Sequence, residues 1–305
     1  MKATTRIICS MLVSLLLHVT TGCSQIMHRN PPPPERVELR PAKTSVPMDL
    51  FGGRPVVSVH INGKGPFQFI LDTGAGGTVV NQELARELGL PDKGQTLAGR
   101  PGASVPVPAM VTRIDQLELG EAQVSGLFAV SLDLSTVLTR SNAPRGVLSA
   151  ASFPGLLITF DYPEKRIELR KGELPAADGQ TIFAWDAGDP VPTVPITLND
   201  LKLKLDLDSG SASGVTLPQK YADILRLKSK PMVARKEKTV DGELKVSVAA
   251  LDGVAKLGQF AINNPQIRFV EGIPFGNIGY EILRQFAATL DTKNRRIRLQ
   301  RSSRQ

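Results

Sequence analysis

The sequence is poor in the residues that build disulfides, metal centres and histidine-dependent active sites. It contains 2 cysteines and 3 histidines in 305 residues. Both cysteines, Cys9 and Cys23, lie near the start, so the remaining chain cannot hold a disulfide framework. With only His18, His28 and His60, a histidine-rich zinc site or a Ser-His-Asp triad has almost nothing to build on. We therefore expect chemistry that depends on carboxylates, with no metal and no cofactor.

Aromatic residues and nucleic-acid-binding motifs are also scarce. Aromatics make up 5% of the chain, whereas 27 Gly and 23 Pro favour short strands and turns over long helices. The net charge of +8 comes partly from basic runs at 226–238 and 295–304, which are either solvated faces or surfaces for an anionic partner. Aromatic residues are not interleaved with the basic ones, so no nucleic-acid partner is predicted.

The first 47 residues have the pattern of an export signal and a spacer. Lys2 and Arg6 precede an apolar run over 7–17 that is too short to span a bilayer. The run ends in VTTGC (19–23), which resembles a bacterial lipobox, although Thr20 replaces the usual aliphatic residue. This predicts a signal segment over 1–23 and lipid attachment at Cys23. The alternative is ordinary cleavage nearby, which would leave Cys23 a free thiol.

Lipid on Cys23 would anchor the protein in the cell envelope, facing the periplasm or the cell exterior. The following residues, 24–47, contain four consecutive prolines at 31–34. Such a run favours an extended chain, so we predict a proline-rich linker there.

The rest of the chain repeats one plan twice. Each half contains a hairpin, an Asp-(Thr/Ser)-Gly turn, a short strand and a short helix. A later four-residue element follows in each, GVLS (146–149) in the first half and GNIG (276–279) in the second. The turns occur in FQFILDTGAGGTVVN (67–81) and KLDLDSGSASGVTLP (204–218). The closing hairpins, ITFDYPEKRIEL (158–169) and ATLDTKNRRIRL (288–299), align without a gap. The repeat predicts two β lobes, over 48–175 and 185–302.

The motifs ILDTGA (70–75) and LDSGS (207–211) resemble those of aspartic proteases of the pepsin and retropepsin type. The segment NGKGPFQFILDTGA (62–75) is similar in particular to the corresponding segment of bacterial retropepsin-like proteases. The resemblance covers about 48–302. It implies an all-β, two-lobed β-barrel pseudo-dimer with a few short helices, and a monomer that hydrolyses polypeptides as an aspartic endopeptidase.

This resemblance implies a catalytic pair, Asp72 and Asp208. Two carboxyls that share one proton can activate water and protonate the leaving amine. Either acid can be the base, because such pairs titrate as a unit.

Six residues are expected to support the pair: Thr73, Gly74, Ala75, Ser209, Gly210 and Ser211. The hydroxyls of Thr73 and Ser209 would hold the two loops together, and the glycines would give backbone N–H groups access to the acids. We expect Ser211 to donate a hydrogen bond to Asp208, which Ala75 cannot do for Asp72. A pair with one such donor should be active at mildly acidic to neutral pH.

Two departures from the family pattern, Ser149 and Asp206, support a second hypothesis, and a third points to the retropepsin side of the family. Ser149 stands where a glycine is usual, and Asp206 adds an acid two residues before Asp208, either as a modulator of the pair or as a solvent-facing residue. No Tyr or Trp occurs in the expected flap hairpins, 97–108 and 239–246. The alternative is therefore an inactive protease-like envelope lipoprotein that binds a peptide or a partner. A purely structural β protein is a third possibility, but it leaves the paired acids unexplained.

Overall fold

A computed structural model describes residues 31–99, 106–138, 140, 142–189, 191–239 and 242–301. The predicted signal segment, Cys23 and the tip of the first flap hairpin lie outside these residues. Within the described part, no helix is both long and apolar enough to cross a membrane.

The first half is built mainly from strands. In chain order they are β1 (Arg36–Leu39), β2 (Lys43–Pro47), β3 (Asp49–Phe51), β4 (Arg54–Ile61), β5 (Lys64–Asp72), β6 (Thr78–Asn81), β7 (Gln95–Ala98), β8 (Val107–Leu119), β9 (Ala122–Leu132), β10 (Gly146–Ser149), β11 (Leu157–Asp161) and β12 (Arg166–Arg170). The helix α1 (Gln82–Glu87) follows β6, and a 3₁₀ helix (Ala150–Ser152) follows β10.

The second half repeats this arrangement. Its strands are β13 (Ile182–Ala184), β14 (Thr193–Leu198), β15 (Leu201–Leu207), β16 (Val215–Pro218), β17 (Met232–Thr239), β18 (Gly242–Ala250), β19 (Val254–Leu257), β20 (Phe260–Asn263), β21 (Gln266–Val270), β22 (Asn277–Ile278), β23 (Phe286–Asp291) and β24 (Arg296–Arg301). A 3₁₀ helix (Gln219–Asp223) follows β16, and α2 (Tyr280–Leu283) follows β22.

The strands form three sheets, which we call the first, central and second sheets. The first sheet has the order β1-β9-β6-β10-β5-β4-β8-β7, with β3 paired to β4. The central sheet has the order β13-β24-β23-β11-β12-β2, and the second has the order β17-β18-β21-β16-β22-β15-β14-β19-β20. The all-β fold expected from the sequence is confirmed.

Local sequence explains how the strand before the first acid is delivered. Asn62 and Gly63 have φ values of 51° and 75°, as a tight hairpin turn between β4 and β5 requires. After β6, the Asn81 side chain accepts a hydrogen bond from the Glu83 N–H and caps α1, and Gly89, with φ 63°, follows its end. The hairpin and the short helix predicted for the first half are confirmed.

The strands that lead to the two acids are anchored by buried side chains. Phe69 and Leu71 are fully buried before the first acid, and Leu205 and Leu207 are 3% and 1% exposed before the second. Burying a side chain of this size contributes about 1.5–3 kcal/mol each. The acids therefore end rigid strands inside two sheets rather than lying on free loops.

The predicted spacer over 24–47 is wrong in its second part. Residues 36–39 form β1, which pairs with β9, and residues 43–47 form β2, which pairs with β12 in the central sheet. Leu39 is buried, and Val37 and Val46 pack against the core. The alternating apolar residues in RVEL and in KTSVP signal strands, but the prolines before them dominated the prediction. The predicted lobe boundaries, 48–175 and 185–302, stay a prediction. Strands β2 and β13, the two edge strands of the central sheet, lie outside both of these ranges.

Candidate active site

The two Asp-(Thr/Ser)-Gly turns lie at equivalent places in their sheets. Strand β10 runs parallel to β5, so that Ser149 is the register partner of Asp72. Strand β22 runs parallel to β15, and the Asp208 N–H donates to the Ile278 carbonyl at 2.9 Å. Each acid is thus fixed by a neighbouring parallel strand.

Reciprocal hydrogen bonds join the two turns. The Thr73 N–H donates to Ser209 Oγ at 3.0 Å, and the Ser209 N–H donates to Thr73 Oγ1 at 2.9 Å. The same hydroxyls donate onward, Ser209 to the Leu71 carbonyl at 2.9 Å and Thr73 to the Leu207 carbonyl. Both hydroxyl residues are buried, so these bonds are shielded from water. The contact expected between Thr73 and Ser209 is present.

Each turn glycine lies directly against the opposite acid. A Cβ atom on Gly74 would lie 2.8 Å from the Asp208 Cγ, and one on Gly210 would lie 2.6 Å from the Asp72 Cγ. Real side chains do not tolerate such contacts, so only glycine fits at either position. The Gly74 N–H also donates to Asp72 Oδ1 at 2.8 Å. The structure therefore brings the two predicted acids together at one point.

The surroundings favour protonated acids. Burial raises the pKa of Asp72, against the opposing effects of the Gly74 and Gly210 N–H groups and the Arg54 charge. Burial raises the pKa of Asp208 further, and the negative charges of Asp72 and Asp206 add to this effect. Two carboxyls in such surroundings hold one proton between them over a wide pH range.

Sequence reasoning missed Arg54. Its Nε donates to the Gly210 carbonyl at 2.7 Å, across the two halves of the molecule. Its positive charge lowers the pKa of both Asp72 and Asp208. Alignment of RPVV (54–57) with VPTV (191–194) would have revealed it, because the second half has Val191 at this position.

Asn277 was also missed. Its Nδ2 donates to Asp208 Oδ2 at 2.8 Å, so it touches one of the two acids directly. Comparison of GVLS (146–149) with GNIG (276–279) contains the signal, since Asn277 replaces Val147.

The contact predicted for Ser211 is wrong. Its hydroxyl lies 2.7 Å from the Ser213 hydroxyl, which in turn lies 2.8 Å from Thr216 Oγ1. No hydrogen bond joins Ser211 Oγ to Asp208 within the described part of the chain. The nearby Ser213 offers a hydroxyl partner that the motif alone did not reveal.

Ser149 fits the first half in spite of its departure from the family pattern. Its hydroxyl donates to the Ala75 carbonyl at 2.7 Å and accepts a bond from the Ala151 N–H at 3.2 Å. The serine thus satisfies a backbone carbonyl of the first Asp-Thr-Gly turn and caps the following 3₁₀ helix. The second half makes the equivalent contact without a side chain. Gly279 lies so close to the segment after the second turn that a Cβ atom on it would be 2.6 Å from the Ser213 carbonyl oxygen.

Asp206 lies beside the site and acts on it. Burial, aided by the negative charge of Asp189, raises the pKa of Asp206 to about 6, and Lys204 opposes this shift. The charge of Asp206 in turn raises the pKa of Asp208. Of the two roles left open by the sequence, the modulating one fits these interactions.

The acids at the ends of strands β11 and β23, Asp161 and Asp291, serve the fold. Asp161 accepts bonds from the Glu164 N–H and from Arg166, and Asp291 accepts a bond from the Asn294 N–H, as turn-forming acids do. Asp241 lies outside the described residues. In the ranges that the structure describes, no three His, Cys, Asp or Glu residues cluster in a way that could hold a metal ion.

Residues 57–151 match the family model for an aspartyl protease. The matched segment contains Asp72 and Ser149 but not Asp208. A search of curated proteins finds no match to this chain. The chain therefore carries an aspartyl-protease-like segment in its first half, and the geometry above extends the pattern to the second.

Proposed function

We propose that this protein is an aspartic endopeptidase in which a single chain supplies both catalytic acids, Asp72 and Asp208. The observation that carries the proposal is the crossed pair of hydrogen bonds between Thr73 and Ser209. This arrangement holds two partly buried carboxyls against each other, with a glycine packed against each of them. Holding two costly acids together in this way has no evident purpose in a purely structural protein.

The pair would act on a water molecule held between the two acids. The ionised carboxylate accepts a proton from the water, whose oxygen adds to the scissile carbonyl carbon, while the protonated acid donates to the carbonyl oxygen. The carbon–nitrogen bond of the resulting diol then breaks: the leaving nitrogen receives a proton from one acid, while a diol hydroxyl gives its proton to the other carboxylate as the carboxyl product forms. One proton again remains on the two acids, ready for the next cycle.

The two-lobed, retropepsin-like form belongs to the same proposal. An extended polypeptide would lie in the cleft between the first and second sheets, where both acids face it. Because one chain contributes both turns, the monomer is the active unit. The raised pKa of each acid supports activity at mildly acidic to neutral pH.

The test is cleavage of an unfolded protein by the purified chain between pH 4 and pH 8. Asp72→Asn and Asp208→Asn should each lower kcat by at least about 10³-fold, since each removes a proton-transfer group. Asp223→Asn, at an exposed acid of the second half, is the matched control and should leave kcat unchanged. Cleavage that survives either dyad substitution would refute the mechanism.

A second candidate is a protease-like protein that binds peptides without hydrolysing them. The observation in its favour is the extra acid Asp206. Its negative charge raises the pKa of Asp208 and so disfavours ionisation of the catalytic pair. If the wild-type chain binds an unfolded protein but fails to cleave it across this pH range, the binding function is the better account.

We also propose a lipid anchor at Cys23 that places the protein in the cell envelope. The apolar run that ends at this cysteine supports the proposal. Cys23→Ser should abolish labelling by a radioactive fatty acid and release the protein from the membrane fraction, whereas Cys9→Ser should do neither. Unchanged labelling of Cys23→Ser would refute the anchor.

A further inference from the structure

In the first sheet, an aliphatic row crosses the strands next to Asp72. Register pairing places five residues side by side on β4, β5, β10, β6 and β9. They are Val56, Ile70, Val147, Val79 and Val130. Direct cross-strand neighbours lie on the same face of a sheet, so these side chains form one continuous apolar strip.

The equivalent row of the second sheet is polar throughout. The same register pairing crosses β14, β15, β22, β16 and β21. The five residues are Thr193, Asp206, Asn277, Thr216 and Arg268. Each occupies the position of an aliphatic residue in the first sheet. The difference is therefore a coherent strip rather than one isolated substitution.

The polar row lies on the face of the sheet that carries the second acid. Asp206 precedes Asp208 by two residues, and side chains two apart on a strand point to the same face. Asn277 contacts Asp208 directly through Nδ2. Asp206 and Asn277 are both partly exposed, so a molecule bound at the acids can reach them.

Two hydrogen-bond acceptors in this row have no hydrogen-bond partner among the described residues. Asn277 donates its Nδ2 to Asp208, while its Oδ1 is buried and has no partner in the described structure. The Asp206 carboxylate accepts no hydrogen bond from the residues that the structure describes. Lys204, the nearby cation, is held instead by Asp186 at 2.6 Å and Asp189 at 3.0 Å.

The charge of the row differs along its length. Arg268 lies three strands from Asp206, a separation of roughly 14 Å at the usual strand spacing. At that distance near a surface, its charge is largely screened from Asp206. The end of the row next to the catalytic acid therefore offers acceptors and negative charge only.

We propose that Asp206 and Asn277 form a subsite for a lysine or arginine side chain of the substrate, on the second-sheet side of the scissile bond. The aliphatic row on the first-sheet side takes an apolar side chain. This inference rests on the proposed function, since it names the substrate class for the same cleft. A cationic donor complements the unpaired Asp206 carboxylate and the unpaired Asn277 Oδ1, whereas an apolar side chain would leave both without a partner.

The test compares matched peptides that carry lysine or norleucine at one position, which is moved residue by residue across the scissile bond. At one position on one side of that bond, the wild-type kcat/KM should favour lysine by about tenfold. Asp206→Ile, which installs the residue of the first sheet, should favour norleucine there. The isosteric Asp206→Asn should remove most of the lysine preference. Asp223→Asn, at an exposed acid of the second half, should retain it.

Binding of uncleavable analogues separates this inference from the proposed function. In these peptides a CHOH–CH₂ unit replaces the scissile amide, and Kd is measured for the lysine and norleucine forms. If the wild-type chain cleaves nothing yet binds the lysine form about tenfold more tightly, the subsite stands and the protease proposal falls. Equal kcat/KM and equal Kd for the two forms at every position, or a lysine preference retained by Asp206→Ile, would overturn the subsite.

Discussion

The two halves of the molecule build the same turn and surround it with different side chains. In both, a buried strand delivers an aspartate, a hydroxyl residue crosses to the other half and a glycine lies under the opposite acid. In the first half the positions equivalent to Asp206 and Asn277 are the aliphatic residues Ile70 and Val147, whereas Asp208 has Asp206 and Asn277 beside it. The backbone of the site is symmetric, but its electrostatics are not.

This difference separates what positions the acids from what tunes them. Positioning depends on backbone groups and close contacts that both halves share. Tuning depends on single side chains that occur in one half only, namely Arg54 in the first and Asp206 in the second. The extra negative charge beside Asp208 adds to the effect of burial in raising the pKa of that acid, and no such charge occurs at the equivalent place beside Asp72.

The largest expected effect tests the one contact that the halves solve differently. Gly279→Ser should destabilise the protein by about 3 kcal/mol and abolish activity, because its Cβ would overlap backbone oxygens that cannot move independently. The reciprocal change, Ser149→Gly, loses two hydrogen bonds and should cost about 1–2 kcal/mol with activity retained. Urea unfolding and peptide cleavage measure both. Equal costs for the two variants would show that the halves are interchangeable here.

The next prediction compares the two acids through stability. A buried carboxyl with a raised pKa holds its proton more tightly in the folded state, so stability falls as pH rises from the ordinary carboxyl range through the raised value. Asp208→Asn should therefore raise the Tm at pH 8 relative to the wild type, and by more than Asp72→Asn does. Near pH 3 both variants should approach the wild-type Tm. A larger gain for Asp72→Asn would reverse the assigned asymmetry.

The sequence was sufficient for the fold and for the pairing of the two turns, because both depend on local rules. Alternating strands, Asn-Gly turns and a capped helix are written in adjacent residues. The duplication then implied that Asp72 and Asp208 meet, since equivalent elements occupy equivalent places.

The missing parts depended on contacts between distant segments. Arg54 reaches Gly210 over a separation of 156 residues, and no local pattern signals that bond. Asn277 became visible only when strand register placed it beside the second acid. Strands β1 and β2 were missed because a run of prolines outweighed two short alternating segments. A position-by-position comparison of the two halves would have revealed Arg54 and Asn277.

Arg54 offers a test of the tuning side chain of the first half. Arg54→Met should move the acidic limb of the kcat/KM profile to higher pH, because the lost positive charge no longer lowers the pKa of either acid. Arg54→Lys keeps the charge but loses the planar Nε donor to Gly210, so it should lower kcat/KM with a smaller displacement of the profile. Profiles that coincide for the wild type and Arg54→Met would show that its role is purely mechanical.

Asp206 offers the corresponding test in the second half. Its pKa of about 6, set by burial with Asp189, Lys204 and Asp208 nearby, means that it ionises between pH 5 and pH 7. The ratio of kcat/KM for the lysine and norleucine peptides should rise several-fold over this interval, roughly as the ionised fraction does. The ratio cancels titration of the dyad itself. In Asp206→Asn the ratio should be flat, and a parallel rise there would assign the effect to another group.

The smallest expected effect concerns the residue after each glycine, Ala75 in the first half and Ser211 in the second. Since the Ser211 hydroxyl bonds to Ser213 rather than to Asp208, Ser211→Ala should leave the pH profile of kcat/KM unchanged. It should cost about 1 kcal/mol of unfolding free energy, as the loss of one partly buried hydrogen bond does. A displacement of the profile to higher pH would mean that the hydroxyl stabilises the ionised Asp208 during catalysis. The asymmetry between the halves would then extend to this position as well.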